Sequence, residues 1–402
     1  MRLVLALGER DADSLDIYHG PPAWEEDARA RRPSLEDTRS AVAALVESLE
    51  AKLFYNAEAE GRRTFLIRQL RAVVTRIDIV RGARPPFAEE ARGLFGLEGS
   101  AGQDGRDRQE GWEAQEVRAQ LERLLPGGGD LSKRYAAFDR RFLIAPDRLP
   151  AVFARAIEGC RAVTRAHITL PPDERIDVEY APVLSWSALT RYEGGFKSRI
   201  TINTGLSLTV DRALDLACHE AYPGHHAIDS LVDARFGGRR VELSVRPLFS
   251  PQSLLHEAAA SVASALTFPG SARLVFERDE LFGAAGFDPA DADRYVRVAR
   301  LVDQLHRVQA DIARRYLDGE LDFPRASAAL ERDALMPSAD ATLKFLNRFR
   351  TYAATYTAGR DALSRHLDAH STAGDDGASR WRAYINVVTD ASQVVPFNAR
   401  RK

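Results

Sequence analysis

The sequence has only two cysteines, Cys160 and Cys218, among its 402 residues. Two are too few for a disulfide framework, and their spacing offers no Cys-x-x-Cys metal site. Long apolar runs are also missing: none approaches the roughly 20 residues that a membrane-spanning helix requires. Residues 1–7 are apolar apart from Arg2, but Gly8, Glu9 and Arg10 end the run before it reaches the length of a secretory signal. Net charge is nearly absent, with 56 basic against 58 acidic residues and a formal balance of −2. No whole-molecule field therefore draws nucleic acid or an anionic membrane. There is no internal repeat and no long low-complexity tract. These absences lead to the expectation of a protein of the reducing cytoplasm, without nucleic-acid or membrane partners.

What is present is an ordinary globular composition, 45 % hydrophobic and 28 % charged. The length allows two or three structural units. Residues 36–82 read as two amphipathic helices, the first with Val42, Leu45, Val46, Leu49 and Leu53 on one stripe. The glycine-rich segment 99–111 reads as a loop. Further helices are expected near 112–125 and 147–166. The period then shortens: Ile176 to Tyr180 and Ser198 to Thr204 alternate as half-buried strands do. After Thr209 the pattern is helical nearly to the end, with breaks near Pro251, Pro269-Gly270, Pro324 and Pro337. The expectation is a mainly α protein with a small sheet ahead of its key motif. It divides into an N-terminal helical region, 1–170, and a catalytic region, 171–402, which can form one integrated domain.

That motif is His219-Glu220-Ala221-Tyr222-Pro223-Gly224-His225-His226. A hydrolytic zinc site takes three protein ligands, commonly two His and a carboxylate, and leaves one position for water. The usual H-E-x-x-H signature sets its histidines one helical turn apart. Here two extra residues intervene. On a continuous helix, at about 100° and 1.5 Å per residue, His225 points away from His219, and His226 lies about 10 Å along the axis. Pro223-Gly224 resolves the conflict, because proline removes a backbone donor and glycine accepts unusual torsions. A break there returns His225 to the metal. The third ligand is expected from the small-residue helix that Ser253-Leu254-Leu255-His256-Glu257-Ala258 opens. A carboxylate in so apolar a run is expensive to bury unless paired or metal-bound, which singles out Glu257.

The motif, the strand before it and the acid after it resemble the DUF885 family, zincin-like metallopeptidases of gluzincin type with an HExxPGHH signature. The likeness is best over 176–365. It departs from the family at Ala258, where glycine is usual, and in an Asp303-to-His306 spacing one residue short. The resemblance implies His219, His225 and Glu257 as ligands of one zinc ion per chain, with His226 as a neighbour. It implies Glu220 as general base and Asn203, on an edge strand, as an anchor for substrate backbone. Tyr356, in Tyr352-Ala353-Ala354-Thr355-Tyr356-Thr357-Ala358-Gly359-Arg360, aligns with the tyrosine of a Y-x-x-G-[KR] helix and is expected to hold the oxyanion. His306 aligns with a histidine near the substrate. The expected activity is zinc-dependent hydrolysis of a peptide or small amide. The alternatives are a non-peptide amide or ester substrate, or a metal-binding relative without catalysis.

Overall fold

Ser34 and Asn56 each precede a run of helix-favouring residues, and each side chain accepts a backbone N–H from the turn that follows. Ser34 Oγ takes that of Asp37 at 3.0 Å, and Asn56 Oδ1 takes that of Glu58 at 2.8 Å. The helices they start are α1 (Leu35–Glu50) and α2 (Ala57–Val80). Val42 and Val46 of α1 share a core cluster with Leu70, Val73 and Ile77 of α2. The expected stripe runs on too far: α1 stops at Glu50, so Leu53 lies beyond it and is exposed, as is Leu45.

The computed structural model describes residues 1–97, 104–182, 186–372, 374–375 and 377–389. The loop expected at 99–111 falls partly outside these residues, and from Asp104 it is helical instead, as the start of α3 (Asp104–Leu124). Glycine costs about 1 kcal/mol in a helix interior. Burial of Val117 and Leu121 further along α3 offsets that cost. α4 (Leu149–His167) lies within a residue or two of expectation.

Among the described residues five strands form, β1 (Leu15–Tyr18), β2 (Arg175–Ala181), β3 (Ala188–Gly194), β4 (Lys197–Asn203) and β5 (Val245–Pro247). β2, β4 and β3 make one sheet in that order, with β4 parallel to β2 and antiparallel to β3. The strand expected at the edge is therefore the central one, and β3 is the edge nearest the motif helix. The β3–β4 turn passes through Gly194 and Gly195 at φ of 83° and 59°, a region glycine enters without steric cost. β1 and β5 pair antiparallel in a second small sheet.

Six helices complete the frame around the motif: α5 (Val210–Glu220), α6 (His225–Phe236), α7 (Pro251–Thr267), α8 (Ala339–Phe349), α9 (Ala358–Ala369) and α10 (Ala378–Val388). α7 packs against both α5 and α9. Its Ala258, Ala259, Ala260 and Ala263 are buried, and small side chains are what let three backbones approach. The core ignores the boundary at residue 170. Val117, Phe142 and Phe153 share one cluster with Ile200, Leu214 and Phe282, and β1 pairs with β5.

Cys160 on α4 and Cys218 on α5 are joined by a disulfide, with Cα atoms 5.6 Å apart. Both are fully buried. Two cysteines do not make a framework, but these two make one cross-link. The expectation of a reducing cytoplasm, drawn partly from the cysteine count, loses that support.

Candidate metal centre

The last turn of α5 carries His219 and Glu220, and the helix stops there because Ala221 leaves helical torsions. A cis peptide bond follows between Tyr222 and Pro223. Gly224 then sits so close to the end of α5 that its N–H bonds Cys218 O at 3.0 Å. A Cβ on residue 224 would stand 1.8 Å from His219 O, so only glycine fits. The chain re-enters a helix at His225, the first residue of α6. The break places the His219 and His225 rings edge to face, centroids 4.7 Å apart.

α7 brings Glu257 to the same point. One carboxylate oxygen lies 3.4 Å from His219 Nε2 and the other 3.4 Å from His225 Nε2. Ligand atoms of these three side chains all fall within 4.8 Å of one another, and no other such His, Cys, Asp or Glu trio occurs among the described residues. His225 Nδ1 and Glu257 Oε2 are buried without a hydrogen-bond partner. Two imidazoles and one carboxylate with unsatisfied buried atoms are a donor set that fits a zinc ion. Burial pulls the His225 pKa down, but the Glu257 carboxylate beside it raises it to about 9. Burial works against the Glu257 charge in turn, but His225 and His219 together outweigh it, holding that carboxyl well below its usual range.

Glu220 is buried beside the trio and outside it. Thr190 Oγ of β3 stands 2.7 Å from Glu220 Oε2 and 2.9 Å from Glu220 O, and its one proton serves either. Tyr356 is half-buried, its ring 6.3 Å from that of His219. Burial, then the Glu257 and Glu220 carboxylates, push its pKa well up, so the phenol keeps its proton. Tyr352, one helical turn earlier in sequence, donates to Glu257 Oε1 at 2.9 Å. Sequence reading put the functional weight on Tyr356 and missed the direct bond from Tyr352. The i, i+4 tyrosine spacing was its only signal.

His226 has a different task. It is fully buried, with Nδ1 2.8 Å from Ser198 Oγ on β4 and Nε2 3.0 Å from Glu174 Oε2. Glu174 also accepts from the Tyr222 hydroxyl and from Arg161 and Arg165 of α4 at 2.6 and 2.9 Å. Tyr384 of α10 donates to Pro223 O at 2.9 Å. This clamp holds both sides of the helix break. Burial alone would raise the Glu174 pKa, but the bonds from His226, Tyr222 and Arg161 lower it to about 2. A depressed carboxyl contributes stability above its ordinary pKa of 4.5, and that stability is lost as pH falls towards about 2. Glu174→Ala should therefore cost about 3 kcal/mol at pH 7, at the low end for a broken buried pair because Arg161 and Arg165 reach solvent. Urea melts at pH 7 and pH 3 measure it: the gap between wild type and variant should shrink at the lower pH.

A second buried network backs the ligands from the N-terminal side. Arg246 of β5 donates to Asp16 of β1 at 2.6 Å and to Asp229 of α6 at 2.8 Å. It also lies 2.6 Å from His256 Nδ1. Since arginine only donates, that nitrogen accepts. Burial first, then Arg246, lowers the His256 pKa to about 3, so His256 is a neutral prop beside Glu257. Neither β1 nor this network was foreseen.

One expectation is corrected, the placing of Asn203 at a sheet edge. Asn203 is buried on the central strand, its amide donating to Trp186 O at 3.0 Å and accepting from Gly205 N at 2.9 Å. It shapes the turn after β4, and a central strand has no edge for a substrate to join. His306 has both ring nitrogens engaged, by Asp303 O at 2.8 Å and Asp361 at 3.0 Å. Asp361 ties it to α9, and it is not one of the side chains that converge on the metal position.

No family model matches the chain, and no curated protein matches it. Solved structures that are similar include two provisionally assigned lipoproteins. One is a provisionally assigned lipoprotein from Colwellia psychrerythraea, 14 % identical, with a TM-score of 0.51, covering 88 % of this chain and 69 % of its own. The other is a provisionally assigned lipoprotein of unknown function from Shewanella oneidensis, 13 % identical, with a TM-score of 0.45, covering 91 % and 76 %. What the chain shares with the Colwellia psychrerythraea protein, at that identity, is the fold alone.

Proposed function

We propose that the chain is a single-zinc hydrolase that cleaves peptide bonds. The observation that carries this reading is the meeting of His219, His225 and Glu257 within 4.8 Å, with the separate carboxylate of Glu220 on the residue next to a ligand. Three protein donors leave a zinc position open, which is the pattern of catalytic rather than structural sites. When bound, the metal supplies Lewis acidity towards a carbonyl and lowers the pKa of water. Glu220 takes the proton of the attacking water and passes it to the leaving amine, so one carboxylate serves as base and then as acid. Tyr356, protonated, donates to the oxygen that gains charge. Tyr352 fixes the orientation of Glu257. β3, the sheet edge whose Thr190 touches the base, takes the place first given to Asn203 as the strand along which an extended peptide aligns. The motif's resemblance to DUF885 points the same way.

Elemental analysis of protein purified without added metal tests the centre. About one zinc per chain in wild type is expected, with loss in His219→Ala. Wild-type protein that carries no metal and takes none up on zinc titration overturns the reading.

A further inference from the structure

A row of rings leads away from the metal centre on the His219 side. Tyr356, against His219, is followed by Phe345 of α8 at 6.5 Å between centroids, and Phe345 by Trp186 at 5.2 Å. Trp186 lies two residues before β3 begins. All three are only half-buried, while the Phe349 and Tyr352 rings behind them are fully packed. Trp186 rests on both of these, at 4.5 and 5.8 Å. Rings from two distant stretches of chain, residue 186 and residues 345–356, thus form one wall, anchored on a buried floor, that runs from a ligand histidine to the head of the sheet edge. Arg246, the guanidinium whose charge His225 feels, is bonded to Asp16 and Asp229. It is committed to those acids rather than to a substrate carboxylate.

We propose that this wall is a specificity subsite for a large apolar side chain, aromatic above all, adjacent to the scissile bond. The inference rests on the metallopeptidase reading and names its substrate class. A peptide aligned along β3 passes Trp186 as its scissile bond reaches the trio. An aromatic side chain there covers Trp186 and Phe345 and gains from stacked or edge-to-face contact, whereas a charged one loses its hydration without a partner. A single methylene in an apolar pocket is worth about 10- to 200-fold, so Phe against Gly should differ by at least the lower figure.

The test uses zinc-loaded full-length protein and internally quenched peptides that differ only in Phe, Leu, Gly or Asp at the residue flanking the cleaved bond, on each side in turn. Cleavage positions are fixed by mass spectrometry. The expected result is a kcat/KM for Phe about 10-fold or more above Gly on one side of the bond. That ratio should fall towards one in Trp186→Ala and in Phe345→Ala at unchanged zinc content. If either variant loses zinc, Trp186→Phe and Phe345→Leu, which keep most of the volume, carry the comparison through a smaller drop in the ratio. Equal rates for Phe and Gly on both sides, or a preference that survives both substitutions, overturn the subsite but leave the peptidase intact. Zinc-loaded protein that cleaves none of the peptides overturns the peptidase reading itself.

Discussion

Glu220→Gln should leave about one zinc per chain and lower kcat by about 10²- to 10⁴-fold, the range for removing a general base. The two halves of this result have separate origins. Glu220 is not among the atoms that converge on the metal position, so its loss takes away no donor. The amide has the shape of the carboxylate and can still accept the Thr190 hydroxyl, which now stands 2.7 Å from Oε2. What it cannot do is accept a proton from water. KM should therefore move little while kcat falls. Metal content and steady-state kinetics on the same preparation decide the matter. Near-normal turnover with zinc in place would remove Glu220 from its role and leave the centre without a base.

Gly224→Ala should remove the metal as well as the activity. The obstacle is space, not torsion, since φ at this residue is negative. An added methyl would lie 1.8 Å from His219 O and 2.5 Å from Cys218 O, both backbone atoms with no rotamer to yield. The chain must open at the helix break, and that break is what sets His225 against His219. A ligand displaced by even an ångström leaves the narrow range of Zn–N distances. The expected loss of zinc affinity is at least about 100-fold, larger than the 10- to 100-fold typical of changes to groups that merely support ligands. Gly359→Ala is the contrasting control. Its nearest obstacle, at 2.8 Å, is the movable Leu254 Cδ1, so zinc binding should be weakened far less. Competition with a chromogenic chelator measures both variants. Wild-type affinity in Gly224→Ala would mean that the helix break does not position His225.

The centre was legible because its cues are local. Three His, an acid and Pro-Gly fall in eight residues, and the way to bring His219 and His225 to one metal is a break at the glycine. Glu257 stood out as an acid in an alanine-rich run. The mainly α frame was legible from its 3.6-residue period for the same reason. What escaped were relations between distant segments. β1 and β5 span four and three residues, too short to show alternation, and their pairing joins residues about 230 apart. Whether β4 lay at the edge or in the middle depended on β2 and β3, and no pattern within β4 records that. Glu174 is one acid in a polar stretch. Its importance comes from Arg161 and Arg165 on one helix, Tyr222 in the helix break and His226 just after it, each pair four residues apart. The helical start of α3 was hidden by glycines that local propensity counts against a helix.

The bond between Cys160 and Cys218 closes a covalent ring across 58 positions of sequence. Inside that ring lie Glu174, Thr190, Ser198 and the whole three-stranded sheet. The ring closes on the residue just before His219. Closing a loop of this size removes chain entropy worth about 4 kcal/mol from the unfolded state in the simplest treatment. Its topology matters as much. A single cut of the backbone anywhere between residues 161 and 217 leaves both new ends tethered to the helix that bears the first ligand and the base. The partner of Glu220 and the clamp on the helix break then remain at high effective concentration next to the centre. A nicked chain stays one molecule until it is reduced.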